Sequence, residues 1–214
     1  VTAPEIILPT DNDLGVPCLV LPPRVDHAPQ VTAPVLAWGS VRRTANASTW
    51  AFYVDDYRFE RVWSDPMLPL RSGARELCEP NFTTHDDTPR AVAVWNAYRK
   101  RYLARLWQDA GAHVWVDLCT SPVHSDLTLL GVPEGWQRYA TAGWDCRIAD
   151  LDRELELAVR HSAGAPFTLL VWGGGAATRA WCQSRAGAVH VGRGADQRVR
   201  PGEGTRRAAA RGEH

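Results

Sequence analysis

Short, nearly continuous apolar runs alternate along this chain with longer stretches of helical spacing. The runs are PVLAWG (34–39), WAFYV (50–54), ELCEPNF (76–82), HVWVDLC (113–119), WQRYATAG (136–143), FTLLVWGGG (167–175) and AVHVG (188–192). Their density in Val, Leu, Ala and aromatic residues predicts strands buried on both faces. TPRAVAVWNAYRKRYLARLWQDAG predicts the best helix, with Thr88 as N-cap, Pro89 at the first helical position and Gly111 as the stop. Ala91, Val94, Trp95, Tyr98, Tyr102, Leu103 and Leu106 recur at three- and four-residue spacing, which makes theirs the expected core face. Arg99, Arg101 and Arg105 fall largely off it. A second helix is expected over 148–161, where Leu151, Leu155 and Ala158 share a face, and shorter ones near 57–65 and 176–185. Alternating strands and helices predict an α/β fold. The sheet is largely parallel, with about seven strands and right-handed crossovers, either open in three layers or curled toward a small barrel.

The ends do not share this pattern. Residues 1–34 form a Pro-rich arm, residues 35–192 carry the α/β domain, and residues 193–214 read as a disordered Arg-rich tail. The domain has the size and the apolar content (45%, with ten Trp) to bury a core. A net charge of zero excludes a global basic field that would announce nucleic acid, so charge-driven binding needs a local patch. Positive charge is almost all Arg; Lys100 is the only lysine. Five scattered cysteines without a CxxC argue against a disulfide framework or a zinc knuckle and fit reduced thiols in the cytoplasm. No stretch reaches membrane-span length, and the first residues, VTAPEIILPTDNDLG, lack the regions of a signal peptide.

Parallel α/β folds gather their chemistry at the carboxyl ends of the strands. The residues after the apolar runs are Gly39-Ser40, Asp55-Asp56, Glu79 and Asn81 with the TTHDD turn, Asp117 and Cys119 with Thr120-Ser121, Thr141 with Gly143 and Asp145, and Gly173-Gly174-Gly175. Asp55, Asp56, Glu79 and Asp117 are expected to converge on one rim. Such a rim suits acid–base catalysis, and Asp55 with Asp117 suits Mg²⁺, a hard cation that takes oxygen ligands. Asn81 is the expected orienting residue. The opposing reading has Asp56 capping the helix that YRFERVW begins, and Asp117, inside an apolar run, paired to an arginine. Gly173, Gly174 and Gly175 between strand and helix are a candidate anion loop, though tight turn geometry is the more common reason for such glycines. His85 is a candidate ligand or base; His113 and His124 are weaker ones. Cys119 at a strand end is a candidate nucleophile but fits a small buried hydrophobe as well. RKRYLAR (99–105) mixes basic and aromatic residues as nucleic-acid binders do, and as the wet edge of any Arg-rich helix does.

PVLAWGSVRR, FYVDDYRFERVW, EPNFTTHDDTP, WNAYRKRYLARLWQDAG, VWVDL, LLGVPEGW and VWGGG follow in this order over about residues 34 to 175. In these segments the chain resembles the bacterial and phage family called domain of unknown function 4417. The resemblance implies a phage, plasmid or integrated mobile element as the setting and brings no catalytic residues with it. Three readings follow. One is a metal-assisted enzyme acting on a nucleotide or nucleic acid at the acidic rim. The second is a non-catalytic accessory factor that binds nucleic acid or a host protein through the Arg-bearing helix and tail. The third is a small-molecule-binding α/β module.

Overall fold

The chain is described over residues 7–39, 47–144 and 147–192 in a computed structural model. All seven expected strands form: β1 (Val35–Ala37), β2 (Thr49–Ala51), β3 (Glu76–Cys78), β4 (His113–Asp117), β5 (Arg138–Ala142), β6 (Thr168–Trp172) and β7 (Ala188–Val191). Every neighbouring pair is parallel, and the strands stand side by side in chain order. That order fixes the architecture. Right-handed crossovers that always step the same way put the helices on one face of the sheet. The sheet curls into a half-barrel in which β1 and β7 do not pair with each other, so it is neither a doubly covered open sheet nor a closed barrel.

The two faces are both apolar, which is why the strands read as continuous runs. Outward, Phe52, Leu77, Val116 and Val171 pack against Leu103 and Trp107 of α2 (Arg90–Asp109), Leu151 of α3 (Ile148–His161) and Trp181 of α4 (Ala176–Gln183). Inward, Ala51, Tyr53, Cys78, Trp115, Ala140, Leu170 and Trp172 form a second cluster. The register pairs Cys78 with Trp115, so parity sends Leu77 and Glu79 outward and Trp115 and Asp117 inward.

α2 differs from expectation in which face it buries. Ala93, Asn96, Ala97, Lys100, Arg101, Tyr102, Leu103, Ala104 and Trp107 are buried, with Ala93 and Ala97 against Leu127. Trp95, Tyr98 and Tyr102 stack along its flank, with Trp63 of the short α1 (Glu60–Ser64) against Trp95 and Tyr102. Tyr102 and Leu103 of the expected stripe are buried, but the buried face extends to Lys100 and Arg101, which are held in ion pairs, a case that a polar-equals-exposed rule misplaces. The helix begins at Arg90 behind Pro89, one residue later than expected. The Thr88 hydroxyl instead accepts from the His85 amide at 2.8 Å. The helix expected at 57–65 splits into a 3-10 turn (Asp56–Arg58) and α1.

The arm is packed across the domain over its described residues. Val25 and Gln137 exchange two hydrogen bonds (3.0 and 2.8 Å), and the Thr168 hydroxyl donates to the Pro29 carbonyl at 2.6 Å. At the amino ends of the strands, buried Glu76 accepts from the Thr32 hydroxyl and amide (2.6 and 3.3 Å), the Thr49 hydroxyl (3.1 Å) and the Trp115 indole (2.9 Å). The arm therefore closes the end of the half-barrel opposite the carboxyl ends. The expected tail, Ser40 and Asp145 lie outside the described residues.

Candidate functional site

The structure separates the expected acidic rim into unlike environments. Asp55 points to solvent, its side chain 68% exposed, with Arg58 Nε at 3.4 Å and no capping bond. Asp56 does not cap either; its carboxylate accepts from the amide (3.1 Å) and hydroxyl (2.8 Å) of Thr83 and so ties down the loop after β3. Glu79 faces the helices. It is fully buried against Arg101, and its Oε2 accepts from the Asp117 amide at 3.0 Å. Asp117 faces inward, 1% exposed, where Oδ1 accepts from Tyr53 Oη and the Cys119 amide (both 3.0 Å) and Oδ2 lies 3.4 Å from Lys100 Nζ. Burial raises the Asp117 pKa above the usual carboxylate range even though Lys100 pulls it down.

Glu79 and Asp117 are thus adjacent through one backbone amide, and Asp55 stands apart from them. The expected arginine partner belongs to Glu79, and the lysine to Asp117. Among the described residues no group of three or more His, Cys, Asp or Glu side chains is placed to hold a metal ion. The Asp117 oxygens already accept from three donors, and Lys100 supplies the positive charge there. Asp55 and Asp117 therefore do not fit as joint ligands of Mg²⁺.

What does open at the carboxyl ends is a cleft of about 540 Å³. The loop after β3 contributes Asn81, Thr83, Thr84, His85, Asp86 and Asp87; the segment after β4, Cys119, Thr120, Ser121 and Pro122; the segment after β5, Trp144, Arg147 and Asp150. Ser121 donates to Asp86 at 2.5 Å and so joins two of these walls. Trp144 is 41% exposed, an indole left open to the cleft side of the molecule.

The third wall is held from inside. Arg147 donates to the Ala142 carbonyl (2.7 Å) and to Glu154 Oε1 (2.6 Å), with Asp150 at 3.3 Å. The other oxygen of Glu154 accepts from the Thr141 hydroxyl at 2.6 Å. Burial pushes Glu154 up to about 7, against the opposing pull of Arg147 and Thr141. Cys119 is half-buried on the floor. Burial and the charge of Asp117 push its thiol up to about 12, the reverse of what a thiolate nucleophile needs. Arg147, Trp144 and Asp150 were not singled out in the sequence, since they follow β5 by a few residues and form no motif. The signal available was position alone.

The remaining candidates fall outside this cleft or are used in packing. Gly173 and Gly174 have φ of 78° and 80°, and a Cβ on Gly174 would lie 1.7 Å from the Gly143 carbonyl oxygen. Close approach of the turns after β5 and β6 accounts for that glycine, and the 173–175 turn does not line the cleft. His113 is exposed and His124 buried, with Nε2 3.0 Å from the Thr88 carbonyl. The basic residues of RKRYLAR are engaged within the domain: Arg99 lies 3.8 Å over the Phe82 ring, Lys100 and Arg101 are in the pairs above, and Arg105 donates to Asp109 and the Cys18 carbonyl (both 3.0 Å).

The family described as Domain of unknown function (DUF4417) matches residues 17–165, a span that contains the whole cleft and stops before β6. The chain is 38% identical over 132 residues to the Gene 1 protein of Mycobacterium phage D29, an alignment covering 58% of this chain and 48% of that protein. It is 31% identical over 132 residues to the Gene 1 protein of Mycobacterium phage L5, covering 58% and 57%. The chain thus spans about half the length of the curated relatives it matches. No solved structure matches it.

Proposed function

The chain belongs to the DUF4417 family and is of phage type, and from that premise we propose that it works by binding a nucleoside or nucleotide in the cleft above β3, β4 and β5. The observation that carries this reading is the cleft itself. It sits where ligands gather in parallel α/β folds, has the volume of a small-molecule site, and is lined mainly by hydrogen-bonding side chains with one exposed indole. Trp144 offers a plane for a base. Asn81, Thr120 and Ser121 offer the amide and hydroxyl groups that ribose and base edges need.

The charges narrow the ligand further. Asp86, Asp87 and Asp150 line the cleft, and Arg147 is already held by Glu154 and Asp150. A bare phosphate meets a net acidic wall, so a phosphorylated ligand enters as its magnesium salt, and a nucleoside enters alone. In this reading Asn81 touches the ligand. Asp117 and Glu79 act from below, since Asp117 holds the Cys119 amide and Glu79 holds the Asp117 amide. Among the cleft-lining residues, His85 is an exposed imidazole within reach of a bound ligand.

The test is a thermal-shift screen with nucleosides, and with nucleotides with and without Mg²⁺, on the wild type and on Trp144→Ala and Asn81→Ala. A melting-temperature rise that both variants lose supports the site. No shift with any member, or an equal shift in the variants, contradicts it. The alternative, an accessory factor that binds nucleic acid or a host protein, has no comparable support in the Arg-bearing helix, whose cations are engaged within the domain.

A further inference from the structure

Behind the cleft lies a second and much smaller cavity of about 10 Å³, which shares Thr84 and Thr120 with the cleft and is otherwise walled by apolar side chains, Asn96, Lys100 and His124. A cavity of roughly 10–15 Å³, measured in this way, is the least that holds one water molecule. Two of its polar groups are chemically complementary. His124 is 4% exposed, and its Nε2 lies 3.0 Å from the Thr88 carbonyl oxygen. A carbonyl only accepts, so Nε2 carries a proton, and in the Nε2–H tautomer Nδ1 is an acceptor. That Nδ1 is buried and has no hydrogen-bond partner. Lys100 Nζ carries three N–H groups, of which two go to the Asp117 carbonyl oxygen (3.2 Å) and carboxylate (3.4 Å). The lining of one small cavity therefore includes a residue with a buried acceptor lacking a donor and a residue whose ammonium has an N–H to spare.

We propose that a single water molecule binds in this cavity, accepting from Lys100 Nζ and donating to His124 Nδ1. Other occupants fit the pair poorly. A cation would face the ammonium, an anion would face the Nδ1 lone pair, and an apolar guest would leave both groups unpaired. The bound water completes a hydrogen-bonded chain that runs from Thr88 through His124 and Lys100 to Asp117 and Tyr53. The chain links the loop ahead of α2, α2 itself, β4 and the segment just after β2, and it lies against two residues of the cleft wall. It holds whether or not the cleft takes a nucleotide.

The test is a crystal structure of the full chain at a resolution that shows ordered water, paired with nitrogen NMR of His124. A solvent peak within hydrogen-bond distance of both Lys100 Nζ and His124 Nδ1, and an Nε2–H tautomer, are expected. His124→Phe, which keeps a ring and removes the acceptor, should lose the peak while circular dichroism shows the fold retained. If that variant fails to fold, the wild-type density and tautomer decide alone. A cavity without density, an Nδ1–H tautomer, or a peak that persists in His124→Phe overturns the proposal.

Discussion

Replacing Arg101 by methionine removes the hub beneath the cleft. The guanidinium is fully buried and donates to Glu79, to the Leu130 carbonyl (2.9 Å) and to the Thr128 carbonyl (2.8 Å), so it joins α2 to the residue that follows β3 and to the 128–130 turn. Removing one partner of a buried ion pair costs about 3–5 kcal/mol, because the other charge stays buried and alone. Each carbonyl that loses its donor adds roughly 1 kcal/mol. Allowing for non-additivity, the loss is about 5 kcal/mol, a third or more of the ~5–15 kcal/mol that holds a typical domain. Methionine replaces most of the stem volume, so packing contributes little to the difference. The assay is urea unfolding followed by Trp fluorescence, comparing midpoints at a common slope. Arg101→Met paired with Glu79→Met should be about as stable as Arg101→Met alone, since the uncompensated carboxylate is then gone while the Asp117 amide loses its acceptor. A single variant within about 1 kcal/mol of wild type, or a double variant in which the two losses simply add, refutes the assignment of Glu79 to a structural ion pair.

Other expectations follow from the same geometry. Burial holds Glu154 up to about 7 in the folded chain. Between about pH 4.5 and 7 the folded state therefore binds more proton than the unfolded one, and stability should fall as pH rises through that window, by on the order of 3 kcal/mol. Glu154→Gln should flatten this part of the pH–stability curve, and an unchanged slope would contradict it. Gly174→Ala forces a Cβ toward the Gly143 carbonyl oxygen at positive φ and should cost about 2–3 kcal/mol in chemical denaturation; wild-type stability would contradict the close-approach account. Cys119, pushed up to about 12, should alkylate at neutral pH far more slowly than a free thiol of ordinary pKa, as followed by mass spectrometry; fast labelling would show a thiolate there.

The strands were readable because both faces of a curled parallel sheet are covered, which makes each strand a solid apolar run such as FTLLVW. Helix 148–161 was readable because Leu151, Leu155 and Ala158 keep to one stripe, and α3 spans those same residues. The face of α2 was not. Lys100 and Arg101 look like solvent residues until their partners Asp117 and Glu79 are placed, and those partners come from other strands. The acidic rim failed as a single group for a related reason. Whether Glu79 and Asp117 face the same way depends on the register of β3 against β4, and no local pattern carries a register. The rule that ligands gather at strand carboxyl ends located Asn81, His85, Cys119, Thr120 and Ser121, which do line the cleft. It does not reach Arg147 and Trp144, which line the cleft between β5 and α3.

The central claim is that the polar cleft above β3, β4 and β5 takes a nucleoside or a magnesium nucleotide. A crystal structure of the chain grown with the compound that raises its melting temperature most tests this directly. Ligand density is expected between Trp144 and Asn81, in contact with Thr120 or Ser121. Density on the outer face of α2, or at the 173–175 turn with the cleft unchanged, would contradict it.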